Sequence, residues 1–225
     1  MAAPRPAIPD AIVVPGVVAI ARRIDPSSIA AVAEGLLGGG VRAFELTLDD
    51  PETTALTAIA DAVRRSEGTG LLVGAGTVLT LASAERAIDA GAAFLVAPHL
   101  DPEIVTWAAD RGIPMLPGVA TPTEALSAWR AGAAGVKVFP ASALGPAFIR
   151  ELRGPLPEIP LMPTGGVTVD TAAAYIEAGA VAVGLGSWLF ADRSPSSIAD
   201  RARRLVEIVA TARRNVIPSR TPAQA

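Results

Sequence analysis

The chain has 225 residues and a formal net charge of -3 at pH 7, from 19 basic and 22 acidic residues. It contains no cysteine, which excludes disulfides, iron–sulfur clusters and cysteine-ligated zinc sites, and without a surplus of basic residues nucleic acid is not an expected partner. The most apolar N-terminal stretch, Ala11–Ala21, is about half as long as a membrane span and is interrupted by Pro15 and Gly16. We therefore expect no membrane partner and a cytoplasmic location.

Eight short apolar runs follow one another along the chain and predict eight strands. The runs are unbroken rather than alternating, which is typical of parallel strands that are covered on both faces. In chain order they are Val17–Ala21, Ala43–Thr47, Leu71–Val73, Phe94–Ala97, Pro114–Leu116, Val136–Phe139, Leu161–Pro163 and Ala182–Gly184.

Signals for the start and end of helices lie between these runs. A helix-capping residue directly precedes a proline at five places, and proline fits the first turn of a helix because no N–H donor is needed there. These pairs are Asp25-Pro26, Asp50-Pro51, Asp101-Pro102, Thr121-Pro122 and Ser194-Pro195. Ala-Gly-Ala occurs at Gly91, Gly132 and Gly179, and a glycine just after a helix takes the left-handed conformation that ends it.

The alternation of strands and helices predicts an α/β fold, and eight such units favour a single (β/α)8 TIM barrel over residues 1–225. An open doubly wound sheet is the alternative, but the Gly-rich first crossover typical of that fold does not follow the first predicted strand. Residues 1–9 and 215–225 are expected to be flexible ends.

Lys137 is the only lysine, since the other 18 basic residues are arginines. Alternation in the sixth predicted strand places Lys137 and Phe139 on one face and two valines on the other, and valines suit the side covered by helices. Lys137 is therefore predicted to point into the barrel. An ion-paired or snorkelling lysine is the plainer interpretation. Lysine, unlike arginine, can lose its proton when burial lowers its pKa, which favours Lys137 as a Schiff-base nucleophile.

Glu45 is the second candidate, in the second predicted strand. The same alternation places Glu45 and Thr47 inside and Phe44 and Leu46 toward the helices. A buried ion pair with Lys137 is one interpretation. An imine enzyme that breaks carbon–carbon bonds also needs a group that moves protons, and a carboxyl with a raised pKa can do this. We predict an acid/base role for Glu45.

Glycine-rich loops follow the last two predicted strands and indicate a phosphate site. The first contains Thr164, Gly165 and Gly166, and the second contains Gly186 and Ser187. Glycines let backbone N–H groups approach an anion, and the loops after strands seven and eight commonly bind phosphate in TIM barrels. The carboxylates near Asp50 are better explained by helix capping than by metal binding, so no metal is predicted.

Six motifs in this order resemble the 2-keto-3-deoxy-6-phosphogluconate and 4-hydroxy-2-oxoglutarate aldolase family, including its 6-phosphogalactonate branch. They are GAGTV at 74–78, APHL at 97–100, PGVATPTE at 117–124, VKVFP at 136–140, PTGGV at 163–167 and GS at 186–187. The resemblance implies a class I aldolase without a cofactor that cleaves a 2-keto acid substrate to pyruvate and an aldehyde. It also implies a homotrimer.

The resemblance implies roles for individual residues as well. Lys137 matches the imine-forming lysine, and Glu45 matches the acid/base glutamate, which acts through a water. Thr77 matches the residue that holds the pyruvate carboxylate. The remaining matches are Pro98 and Phe139 beside the imine, Arg22 on a substrate anion, and Gly165, Gly166, Gly186 and Ser187 around the phosphate.

One position departs from the family pattern, because Asp49 stands where many phosphogluconate aldolases carry an arginine. This leaves the sugar acid, its C4 epimer and its phosphorylation open. Two other functions remain alternatives. One is a phosphate-binding barrel of the thiamine-phosphate-synthase type, and the other is a catalytically idle barrel that serves as an oligomeric scaffold.

Overall fold

The computed structural model describes residues 5–48, 52–192 and 194–216, and strands and helices alternate along them. All eight predicted strands are present, and a further short strand lies beside the fifth. The strands are β1 (Val17–Ala21), β2 (Ala43–Thr47), β3 (Leu72–Gly76), β4 (Leu95–Val96), β5 (Met115–Leu116), β6 (Gly118–Val119), β7 (Val136–Val138), β8 (Leu161–Pro163) and β9 (Val183–Leu185).

Helices follow the strands, and one short helix precedes β1. They are α1 (Asp10–Val13), α2 (Ile29–Gly38), α3 (Glu52–Ser66), α4 (Leu81–Asp89), α5 (Pro102–Asp110), α6 (Pro122–Arg130), α7 (Ala141–Arg153), α8 (Ala172–Glu177) and α9 (Pro195–Val216), with a 3₁₀ turn at Pro26–Ser28 before α2. Within the described residues, no helix is both long and apolar enough to cross a membrane.

The predicted helix signals are confirmed where the structure describes them. The side chain of Asp101 accepts a hydrogen bond from the Glu103 N–H at the start of α5, and Thr121 accepts one from the Glu124 N–H at the start of α6. Gly91, Gly132 and Gly179 all have a positive φ. The cap predicted at Asp50 lies outside the described residues.

The strands form a curled parallel sheet in two parts. Six strands are ordered β5-β4-β3-β2-β1-β9, and three are ordered β6-β7-β8. Hydrogen bonds join the parts at both junctions. The Ala134 N–H donates to the Met115 carbonyl at 3.0 Å, and at the other junction the Val181 N–H donates to the Leu161 carbonyl at 3.0 Å beside an isolated parallel bridge between Thr164 and Gly184. The fold is therefore α/β with a curled parallel sheet, which confirms the predicted α/β class.

Alternate residues of each strand pack on opposite faces of the sheet. Val17 and Ala19 of β1 belong to the cluster that packs against the helices, whereas Val18 and Ile20 belong to a second buried cluster on the inner face. We call this second set the inner cluster. Its members are Ile8, Ile12, Val18, Ile20, Ala43, Phe94, Val96, Leu116, Ala134, Met162 and Ala182.

Residues 5–9 differ from the flexible end expected there. Ile8 is buried in the inner cluster, and the Arg5 guanidinium donates to the Trp129 and Ala133 carbonyls and lies 3.3 Å from the centroid of the Trp129 ring. The contacts of Arg5 and Ile8 thus attach the N-terminal segment to the folded domain. At the other end of the chain, α9 continues through Asn215 to Val216.

Candidate active site

Lys137 lies in the middle of β7 and is 1% exposed. Its neighbours Val136 and Val138 pack in the cluster beneath the helices, so alternation turns the lysine to the inner face, as predicted. Its Nζ is 5.0 Å from the centroid of the Phe139 ring. Burial lowers the pKa of Lys137, the charge of Arg22 lowers it further, and Glu45 acts in the opposite direction.

Glu45 lies on the inner face of β2 and is fully buried. In the described part of the chain, neither carboxylate oxygen has a hydrogen-bond partner. Burial raises the pKa of Glu45, and the positive charges of Lys137 and Arg22 oppose that rise. A buried carboxyl with free oxygens costs stability, and it is available to exchange a proton with a bound molecule.

A glycine makes room for the Glu45 side chain. Gly76 is paired with Thr47 at the end of β3, and a Cβ at Gly76 would overlap Oε1 of Glu45. A side chain at position 76 would therefore displace the carboxyl group. This explains the second glycine of the GAGTV motif in physical terms, since the sheet approaches the carboxylate too closely for any other residue.

Thr77 directly follows this glycine at the C-terminal end of β3. It has φ of 59°, a left-handed conformation that is unfavourable for a β-branched residue and that persists only where the surroundings impose it. Such strain is concentrated at functional sites. Thr77 is half-buried, and it is the predicted carboxylate-binding residue.

Pro98 and Phe139 also follow the C-terminal ends of their strands. A Cβ at Gly118 would overlap the main chain of Pro98, and the Gly118 N–H donates to the His99 carbonyl at 3.1 Å. A Cβ at Gly165 would lie 2.7 Å from the Phe139 ring. The Phe139 ring therefore lies close to both the Lys137 amine and the loop that follows β8.

The predicted phosphate-binding residues line one cavity of about 490 Å³ at the C-terminal ends of β1, β8 and β9. Gly165 and Gly166 have φ of 86° and 79°, so side chains would be strained there. The cavity is lined by Arg22, Thr164, Gly165, Gly166, Gly186 and Ser187. Lys137, Glu45 and Thr77 are not part of this lining. The site therefore has two neighbouring parts, a buried pair and a more open cradle.

Arg22 belongs to both parts. Its side chain is exposed and lines the cavity, and its charge acts on both Lys137 and Glu45. It follows β1, whose last residue Ala21 accepts a hydrogen bond from the buried Thr47 hydroxyl at 3.1 Å. This arginine connects the anion-binding part of the site with the buried pair.

Other residues of the site gave no clear signal in the sequence. Ile24, Trp188 and Phe190 add an apolar side to the cavity, but their sequence positions do not distinguish them from core residues. The Tyr175 hydroxyl donates to the Ala141 carbonyl. Asp49, which departs from the family pattern, lies outside the described residues. The described ranges contain no group of three or more His, Asp or Glu side chains that could hold a metal ion.

The chain is similar to known aldolases. The family described as KDPG and KHG aldolase matches residues 8–201. A probable 2-dehydro-3-deoxy-6-phosphogalactonate aldolase of Rhizobium meliloti is 41% identical over 174 residues, which are 77% of this chain and 81% of that protein. A 2-dehydro-3-deoxy-phosphogluconate aldolase of Pseudomonas aeruginosa is 39% identical over 191 residues, 82% of this chain and 80% of that protein.

A solved structure adds chemical information about a related protein. The KDPG aldolase from Legionella pneumophila superposes with a TM-score of 0.73 and 26% identity, covering 90% of this chain and 96% of that one. It holds pyruvate captured at low pH as a covalent carbinolamine intermediate. A carbinolamine forms when an amine adds to a ketone, so the chemistry seen in that relative requires an amine nucleophile.

Proposed function

The chain belongs to the KDPG and KHG aldolase family, a family of carbon–carbon lyases, and we propose that Lys137 and Glu45 perform its reaction. The substrate is a 2-keto-3-deoxy sugar acid carrying a 6-phosphate, and the products are pyruvate and an aldehyde such as glyceraldehyde 3-phosphate. One observation carries this assignment: the only lysine of the chain is buried where its charge acts on a buried carboxyl that has no hydrogen-bond partner among the described residues.

Lys137 begins the reaction as a neutral amine. Burial favours this form by lowering its pKa, and only the neutral amine has the electron pair that attacks a ketone. Nζ adds to C2 of the keto acid to form a carbinolamine, and loss of water gives an iminium ion. The iminium then accepts the electron pair that is released when the neighbouring bond breaks.

Glu45 moves the protons, acting through a water as the family resemblance implies. The carboxylate removes the proton of the C4 hydroxyl, the C3–C4 bond breaks, and its electron pair forms the enamine of pyruvate on Lys137 while the aldehyde leaves. The protonated Glu45 returns a proton to C3, and hydrolysis of the imine releases pyruvate. The raised pKa of Glu45 suits a group that both takes and gives a proton near neutral pH.

The other predicted residues bind the ends of the substrate. Thr77 holds the carboxylate of the keto acid, and Pro98 and Phe139 pack beside the imine. Arg22, together with backbone N–H groups in the glycine-rich cradle, binds the 6-phosphate. The cradle residues are Thr164, Gly165, Gly166, Gly186 and Ser187. The cavity beside the buried pair supports this division between a reacting end and a phosphate end.

We also propose that the sheet closes into a barrel. We treat β5 and β6 as one strand interrupted at Pro117, whose carbonyl accepts a hydrogen bond from the Lys137 N–H at 2.9 Å. With the bridge between Thr164 and Gly184, eight strand positions would then close as one (β/α)8 barrel and one domain. A homotrimer and a cytoplasmic location stay predictions, and light scattering on the purified protein tests the former.

Trapping with pyruvate and borohydride tests the nucleophile. Because Lys137 is the only lysine, intact-mass measurement after incubation should show one adduct of reduced pyruvate, with the α-amine of the chain as the only competitor. Lys137→Arg is the matched control, and it should form no adduct. An adduct that persists in Lys137→Arg, or none in the unaltered protein, would overturn the imine mechanism.

Substrate cleavage separates the proposal from the two alternatives. A panel of C4-epimeric 2-keto-3-deoxy acids, each with and without the 6-phosphate, should show pyruvate release for a phosphorylated member. An idle scaffold would release none, although a buried lysine would still be present. A thiamine-phosphate-synthase type of enzyme would lose its activity in EDTA, whereas the aldolase reaction should continue unchanged.

A further inference from the structure

The helix after Lys137 is broken near its start. α7 contains Gly145 with φ of 72° and ψ of 170°, followed by Pro146. Ala141–Leu144 therefore forms a separate turn that is not supported by a continuous helix. This matters for the site because the turn begins only four residues after Lys137.

This separate turn is attached to the phosphate cradle by its main chain. The Ala141 N–H donates to the Thr164 carbonyl at 2.8 Å, and the Ser142 N–H donates to the Gly165 carbonyl at 2.9 Å. A Cβ at Gly166 would lie 2.5 Å from the Cβ of Ser142. The turn therefore packs against the cradle loop, and the position of Gly165 and Gly166 depends on the position of the turn.

A side chain from α8 also holds this turn, through a hydrogen bond to its main chain. The hydroxyl of Tyr175 donates to the Ala141 carbonyl at 2.8 Å, and this bond is buried. The side chain of Tyr175 is 3% exposed, so water does not replace the phenol at this carbonyl without a rearrangement. Ala141 is thus held at two atoms. Its N–H donates to the Thr164 carbonyl, and its carbonyl accepts from the Tyr175 hydroxyl.

We propose that Tyr175 is a positioning residue for phosphate binding: through Ala141 it holds the loop of Gly165 and Gly166 in the conformation that binds the substrate phosphate. The inference rests on the proposed function, since it assumes a phosphorylated substrate in this cradle. Tyr175 does not touch the reacting atoms. Its loss should therefore change recognition of the phosphate and leave the imine chemistry at Lys137 in place.

The Tyr175→Phe variant tests this role because it keeps the buried ring and removes only the hydroxyl. We expect KM for the phosphorylated substrate to rise about tenfold, as the loss of one buried hydrogen bond suggests, with kcat within about twofold. KM for the unphosphorylated analogue should stay unchanged. Ser66→Ala, which also removes a buried hydroxyl, is the matched control and should change neither constant.

Two results would overturn the proposal: an unchanged KM for the phosphorylated substrate, or an equal rise for the substrates with and without phosphate. The pyruvate–borohydride adduct is measured on the same variant. If the variant forms the adduct but its KM rises equally for both substrates, only the role proposed for Tyr175 is wrong. If the unaltered protein forms no adduct, the proposed function is wrong.

A second measurement does not depend on turnover or on the stability of a variant. Tyr175 is the only tyrosine, so the unaltered protein labelled with 3-fluorotyrosine gives a single fluorine resonance from this site. Inorganic phosphate should shift that resonance saturably, and Gly166→Ala, which places a Cβ against Ser142, should abolish the shift. If the chemical shift of this resonance stayed unchanged at a saturating phosphate concentration, the proposed coupling between Tyr175 and the cradle would be wrong.

Discussion

The two ends of the parallel strands differ in chemistry although one inner cluster runs between them. At the N-terminal end, Ile8 and Ile12 bury their side chains in the inner cluster. There the Arg213 guanidinium donates to the carbonyls of Val13, Val14 and Val181 at 2.6 to 2.8 Å. This end is apolar inside, and Arg213 satisfies three of its carbonyls.

The C-terminal end has the opposite properties. The Glu45 carboxyl reaches Gly76 at the end of β3 and has no hydrogen-bond partner among the described residues. Thr77 has a strained backbone, and glycines replace side chains in the cradle. Each of these features costs stability. The N-terminal end thus stabilises the fold, whereas the C-terminal end leaves polar groups unsatisfied, which is the division expected of strands that carry an active site.

The largest expected effect at the C-terminal end is that of Lys137→Met. Methionine fills a similar volume but has no amine, so we expect kcat to fall on the order of 10⁵-fold or more while the protein stays folded. Steady-state release of pyruvate measures the loss, and circular dichroism checks the fold. Retention of more than a tenth of the activity would remove Lys137 from the reaction.

Glu45→Gln should have the next largest effect. The amide cannot exchange the C4 hydroxyl proton, so cleavage should slow about 10²- to 10⁴-fold, whereas the pyruvate adduct on Lys137 should still form. Single-turnover cleavage and borohydride trapping separate the two steps. If trapping and cleavage fell equally, Glu45 would act on imine formation rather than on bond cleavage.

Ile12→Ala probes the N-terminal end. Ile12 is fully buried, and truncation of such a side chain costs about 2–5 kcal/mol of unfolding free energy. Urea unfolding measures the loss, and kcat at 25 °C should stay within about twofold. A large loss of kcat without a loss of stability would mean that the two ends do not divide their tasks in this way.

The smallest expected effect is a shift in the pH dependence of imine formation. The rate of trapping should rise with pH through the pKa of Lys137, because only the neutral amine reacts. Arg22 lowers that pKa and Glu45 raises it, so Arg22→Gln should move the midpoint to higher pH and Glu45→Gln should move it to lower pH. Shifts of the same sign in both variants would contradict this electrostatic assignment.

The strands show how far sequence patterns predict this fold. β1 and β2 begin and end where the apolar runs predict, because their side chains are buried on both faces. The third strand extends to Gly76, beyond the predicted end at Val73. Its last residues include Gly74 and Gly76, which normally indicate a turn, but here they make room for the Phe94 ring and the Glu45 carboxyl. The need for glycine at these two positions comes from side chains of neighbouring segments, which the pattern within β3 does not reveal.

The site residues likewise include features that local sequence patterns predict and features that depend on the tertiary structure. Alternation within single strands is a local property, and it predicted that Lys137 and Glu45 share the inner face. It did not predict that Arg22 acts on both groups, since that depends on the order of strands in the sheet. The packing of Ile8 in the inner cluster was also missed, because a short Pro/Ala-rich end carries no periodic signal.

Sequence by itself therefore determined the strand–helix alternation, the family and the inward orientation of Lys137 and Glu45, because hydrophobic runs, caps and motifs are encoded by neighbouring positions. Only the tertiary structure decided that the Glu45 oxygens lack partners among the described residues, that Thr77 is strained, and that Tyr175 holds Ala141 from 34 residues away. These properties arise where separate strands and helices meet. A single buried hydrogen bond between distant residues leaves no periodic trace in the chain.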